Sequence, residues 1–179
     1  MNDAAVRALR PGTVPLAGEA PLHPELAALL RRGLKARQGA LTFAAHNRVY
    51  ARDRRDLAQA IAAGRWQDLT EHEWDINDMA LNEYAPVTVT RAPDGSPHIS
   101  EADQVLLLRL GLQVAEHVIG LARSLPSPAA VTCVISANGT SGTFRFYQTR
   151  PGEDMLVEDL DGYSLEKLVV VQDLPPAPG

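Results

Sequence analysis

Six carboxylates crowd the stretch between Arg65 and Arg91, which holds no lysine or arginine: Asp68, Glu71, Glu73, Asp75, Asp78 and Glu83. Such a density could serve acid–base chemistry, hold a divalent ion or attract a basic partner. Glycoside hydrolysis needs two opposed carboxylates flanking a sugar, and a sugar cleft rich in aromatics is hard to build when only 5% of the chain is aromatic. Glu71-His72-Glu73 with Asp75 offers oxygen and imidazole ligands. Neighbouring residues on a helix diverge by about 100°, so these four would not converge on one ion. The histidines His23, His46, His72, His98 and His117 never recur at i+3 or i+4, and Cys133 is the only cysteine. No metal site and no cofactor is expected.

Nucleophilic catalysis would need a nucleophile, a base and an orienting group together. Cys133 with His117 and an Asp would supply the types. Cys133 lies among Val131, Val134 and Ile135, which reads as a buried apolar role. Ser100 reads as a helix cap. Asn138-Gly139-Thr140-Ser141-Gly142 lies between two strands, so it offers no helix N-terminus to a phosphate. It reads as a hairpin turn.

What remains is recognition. The acidic block repels nucleic acid and draws basic partners. Trp66 and Trp74 flank it, and tryptophans beside charge are common binding anchors; packing that seats the helix is the other role open to them. We therefore expect a partner-binding surface over Asp68, Glu71, Glu73, Trp74, Asp75, Asp78 and Glu83, with a solvated helix face as the alternative. Arg48, Arg52, Arg54, Arg55 and Arg65 gather near Tyr50 and could contact phosphates. The net charge of -5 and the presence of only two lysines weigh against nucleic acid. Residues 1–65 carry 11 basic and 5 acidic side chains (+6), and residues 66–179 carry 6 and 17 (-11). The basic part can instead dock on the acidic part, or on another subunit.

These residues need a scaffold, and 179 residues suit one domain. We expect a domain over 22–173, a flexible arm over 1–21 with Pro11, Gly12, Pro15 and Gly18, and a Pro-rich tail over 174–179. A lone cysteine excludes an intrachain disulfide, and the N-terminus lacks a secretory pattern. No stretch is read as a membrane span, and a cytoplasmic location is expected. The excess of Arg over Lys, with many Ala and Pro, points to a GC-rich bacterial genome.

Leu26, Leu29, Leu30 and Leu34 predict a helix from Pro24 to Ala36. Leu41–Ala45 and Arg48–Arg52 predict strands about His46-Asn47. Asp53 caps a helix from Arg54 to Ala63 that Gly64 closes. Thr70 and Glu73 form a capping box for a helix running to about Tyr84. Val87–Thr90 favours a strand, Pro93-Asp94-Gly95 a turn, and Ser100 opens a long, largely apolar helix to Ser124. The last stretch reads as a meander, with turns at Asn138-Gly139, Pro151-Gly152 and Asp161-Gly162. Phe144 and Phe146 share one face, Thr143, Arg145 and Tyr147 the other. Leu168–Val171 reads as a more central strand. The fold class is α+β, an antiparallel β-meander with the long helix on one face and smaller N-terminal helices.

The segment Ser141-Gly142-Thr143-Phe144-Arg145-Phe146-Tyr147, leading to Asp154-Met155-Leu156-Val157, resembles the strand pairs of immunity proteins encoded beside secreted bacterial toxins. The resemblance spans residues 100–172. It implies a protein that binds a toxin, such as a basic nuclease domain, and covers its active site. These families share no catalytic motif, so it assigns no residue a role. The alternative is a chaperone or assembly subunit of a secretion or multiprotein complex, acting through a sheet edge or the arm. A third reading, a small enzyme with an atypical site, would need titratable groups converging in a pocket.

Overall fold

The computed structural model describes residues 1–9, 21–45, 57–153, 155–156 and 158–173. Its centre is a long helix laid on an antiparallel sheet. Helices α1 (Asp3–Ala8) and α2 (Pro24–Arg31) come first, then the hairpin β1 (Leu34–Arg37) and β2 (Ala40–Phe43). Helices α3 (Leu57–Ala62) and α4 (Leu69–Ile76) lead to the short strand β3 (Met79–Ala80) and a 3₁₀ turn at Leu81–Glu83. The hairpin β4 (Val89–Arg91) and β5 (Pro97–Ile99) precedes helix α5 (Glu101–Arg123). Strands β6 (Val131–Ala137), β7 (Gly142–Gln148) and β8 (Lys167–Gln172) close the chain.

The main sheet has the order β3-β7-β6-β8. Alternation decides its faces. Cys133, Ile135, Phe144, Phe146 and Val169 turn toward α5 and join one core with Leu107, Leu108, Val114 and Val118. Val134, Tyr147 and Leu168 turn the other way into a smaller cluster, covered by Trp74, Met155, Leu156, Leu160 and Tyr163. A one-residue slip would drive Arg145 into the core. Helix α5 is long and apolar enough to cross a membrane by length and composition, contrary to the expectation of no such segment. In this fold its apolar positions pack on the sheet. Its N-cap is Ser100, whose Oγ accepts from the Asp103 N–H.

Several expectations are corrected. The helix predicted to Ala36 stops at Arg31 because Gly33 turns the chain at φ +75°. Leu34 then opens β1, and β1 and β2 meet at a two-residue turn, Gln38 (φ 51°) and Gly39 (φ 84°). Paired left-handed residues suit a tight hairpin. The helix expected to reach Tyr84 ends at Ile76, and β3 follows. Its N-cap is Asp68, not Thr70. No third meander strand forms at Met155-Leu156, which bends instead. The chain passes from β7 across the smaller cluster to β8, so β8 is an edge strand and not a central one.

The expected arm is partly docked. Asn2 is buried, and α1 presents Ala5 to the core. The Asn2 N–H donates to the Leu168 carbonyl at 3.0 Å, and its Oδ1 accepts from the Leu168 and Ala5 N–H groups at 3.0 Å. Its Nδ2 donates to the carbonyls of Tyr163 and Glu166. Residues 10–20, the predicted strand at Arg48–Arg52, the cap at Asp53, and the tail at 174–179 lie outside the described residues.

Candidate functional site

Helix α4 carries the acidic block, and its 3.6-residue period sorts the block into two faces. Thr70, Glu73 and Asn77 fall on the inner face, and all three are buried. Asp68, Glu71 and Asp75 fall on the outer face. Asp68 accepts from the Glu71 N–H at 2.8 Å, and the Glu71 carboxylate caps the Gln67 N–H. Asp75 is exposed and accepts from Trp66 Nε1 at 3.3 Å. Asp78 and Glu83, beyond the helix, are exposed as well.

The inner face fills a gap between two strand edges. Glu73 Oε1 accepts from the Leu41 N–H and Oε2 from the Gln148 N–H, both at 2.6 Å. Asn77 Nδ2 donates to the carbonyls of Leu41 (2.9 Å) and Phe146 (3.1 Å). One turn of α4 thus stands in for a strand between β2 and β7. Arg150 closes the arrangement: its guanidinium donates to Glu73 Oε1 at 2.6 Å and Oε2 at 3.1 Å, to Thr70 Oγ1 at 3.0 Å and to the Gly39 carbonyl at 2.9 Å. Burial pushes the Glu73 carboxyl above its ordinary value, and the Arg150 guanidinium and the two backbone amides pull it back. Every partner of Glu73 is a donor, which suits a carboxylate and leaves no acceptor for a carboxylic proton.

The sequence-predicted site is therefore divided. Glu73, with no exposed surface, cannot touch a partner; it belongs to the core network. Trp74 is half-buried. Its ring lies 6.1 Å from that of Tyr147, with the Arg145 guanidinium 4.8 Å above it. Arg145 Nε pairs with Asp78 at 3.1 Å. Trp66 is buried and packs edge-on against His72 at 4.3 Å. Asp68, Glu71, Asp75, Asp78 and Glu83 remain at or near the surface.

Comparison with protein-family models, curated proteins and solved structures finds no match to the chain. The site stands on its own geometry. Sequence reasoning missed Asn77 and Arg150. Arg150 is 77 residues from Glu73 in the chain, and no spacing rule joins them. One signal was available: Glu73 is out of phase with Glu71, Asp75 and Asp78, which lie at helical spacing. Among the described residues no group of three His, Cys, Asp or Glu side chains gathers as metal ligands would. Cys133 is buried in β6, where desolvation and then the Asp173 charge push its thiol up to about 12. A thiolate nucleophile is not available there at neutral pH.

Proposed function

We propose that this chain is a non-enzymatic protein-binding protein, an immunity protein or similar inhibitor that neutralises a bacterial toxin. The observation that supports it most is the outer face of α4. Asp68, Glu71 and Asp75, continued by Asp78, present carboxylates along one line on a helix whose inner face is hydrogen-bonded to two strands. A charged surface on a rigid support steers a basic partner and loses little entropy when it docks. A toxin domain with a basic, phosphate-binding groove has the matching chemistry.

The test uses Glu71→Lys/Asp75→Lys/Asp78→Lys, which leaves Glu73 intact. Wild type and variant are tagged and used to capture proteins from native lysate at low salt. The expected result is one basic protein at near-equal stoichiometry, retained by the wild type and lost by the variant, with an association rate that falls as salt rises. Equal retention by the variant removes α4 from the interface. A second reading, an assembly or chaperone subunit, is favoured by the outer edge of β8. There the backbone groups of Val170 and Gln172 have no hydrogen-bond partner among the described residues.

A further inference from the structure

The edge of β8 has a direction that can be worked out. The Asp173 N–H donates inward to the Val131 carbonyl, so Val171 and Val169, at steps of two, also face β6 with their backbone groups. Leu168, Val170 and Gln172 face outward. At Leu168 the outward groups are already used: its carbonyl and N–H are taken by Asn2. Val170 and Gln172 come next along the same edge. From Leu168 to Gln172 the strand carries no charge, no proline and no glycine. Helix α1 packs beside β8 and Asn2 caps its edge at Leu168; from Val170 to Gln172 the strand has none of the charges or prolines that keep an edge strand from pairing with another chain. Lys167, at its start, is held by Glu101 at 2.8 Å.

Beside this edge, on the α5 side of the sheet, lies an open cleft of about 530 Å³ lined by Leu112, Ala115, Ile119 and Gly120 of α5 and Val171 of β8, with Glu116 and Arg123 at its rim. It stands where the inward side chains of a further strand beyond β8 would fall. Gly120 is an exposed glycine well inside α5. A helix-interior glycine costs about 1 kcal/mol relative to alanine, and packing explains it at Gly111 but not here. A Cβ on Gly111 would meet Ile135 Cγ2 at 2.4 Å, whereas one on Gly120 meets nothing within 4 Å. The absent side chain at Gly120 leaves the cleft open.

We propose that β8 pairs antiparallel with β8 of a second copy, about a twofold axis at Val171. The register follows from the outward groups that have no hydrogen-bond partner among the described residues. Pairing Val170 with Gln172 of the second copy, and the reverse, engages all four outward N–H and C=O groups of each strand and leaves Leu168 to Asn2. Pairing Val170 with Val170 would instead require Leu168, which is occupied. Val171 then meets its symmetry mate over the cleft, and the β-branched apolar side chains on that face match its lining. Because the interface is isologous, each contact away from the axis occurs twice, and that of Val171 with its mate once. An eight-stranded sheet results. The acidic face of α4 sits at the opposite edge of each four-stranded half, so the dimer carries two such faces, and the inference does not depend on what they bind.

Sedimentation of the full chain over a range of concentrations, with amide exchange read at Val170 and Gln172, tests the proposal. The wild type is expected to sediment as a dimer with both amides protected. Gln172→Pro removes only an outward N–H, so the ladder to β6 survives; Gly120→Glu fills the cleft with a better helix former. Both variants are expected to be monomers, with unchanged far-ultraviolet circular dichroism and fast exchange at Val170. A wild-type monomer at every concentration overturns the proposal, as does a dimer that persists in Gly120→Glu. Gly120→Glu decides the matter even if Gln172→Pro does not fold.

Discussion

Glu73 and Arg150 hold their positions through one another. Removing one partner of a buried ion pair leaves an uncompensated charge and typically costs about 3–5 kcal/mol. Glu73→Gln keeps the shape but places an amide among the donors Leu41 N–H, Gln148 N–H and Arg150. It is expected to lower the unfolding free energy by about that amount, measured by urea titration. Asn77→Leu leaves the Leu41 and Phe146 carbonyls without their donor; each orphaned group costs about 1–3 kcal/mol. A loss under about 1 kcal/mol in both variants would show that the network does not hold α4 in place. Cys133 provides a separate check at this scale. Its buried thiol, raised to about 12, is expected to resist alkylation in the native state and to react on unfolding. Rapid native alkylation would contradict its placement in β6.

At the scale of elements, close approach decides which glycines matter. Helix α5 crosses β6 so closely at Gly111 that a methyl group would overlap Ile135. Gly111→Ala is expected to cost about 1–3 kcal/mol by overpacking. Gly120→Ala should instead stabilise by up to about 1 kcal/mol, because open space replaces the clash. Thermal melts of the two variants moving in the same direction would refute this account of α5. The same elements show what the sequence could reveal. Ser100, the apolar run of α5 and the alternation of Phe144 and Phe146 are local signals, and they placed the helix and the two faces of the sheet. The β1–β2 hairpin was hidden because Gln38-Gly39 is a weaker turn signal than Asn-Gly. The order of β8 was hidden because strand order depends on contacts distant in sequence. The inner half of α4 was hidden for the same reason: Arg150 decides the fate of Glu73, and only the folded chain brings them together.

For the whole molecule, His72 gives one traceable cause of acid sensitivity. Burial against Trp66 lowers its pKa below the ordinary 6.5; the Asp75 charge works against that shift and the Arg65 charge adds to it. The folded state therefore holds His72 neutral to lower pH than the unfolded chain does. Between the two values the unfolded chain binds more protons, so stability rises with pH there. Its contribution is complete above about pH 6.5 and is lost as the pH falls below it, with a slope of at most about 1.4 kcal/mol per pH unit. Urea titrations at several pH values on either side of 6.5 measure that slope. His72→Gln keeps a polar side chain of similar reach without a titrating proton, so it is expected to flatten the curve just below pH 6.5. If the wild type and His72→Gln lose stability in parallel through this window, the acid sensitivity lies elsewhere.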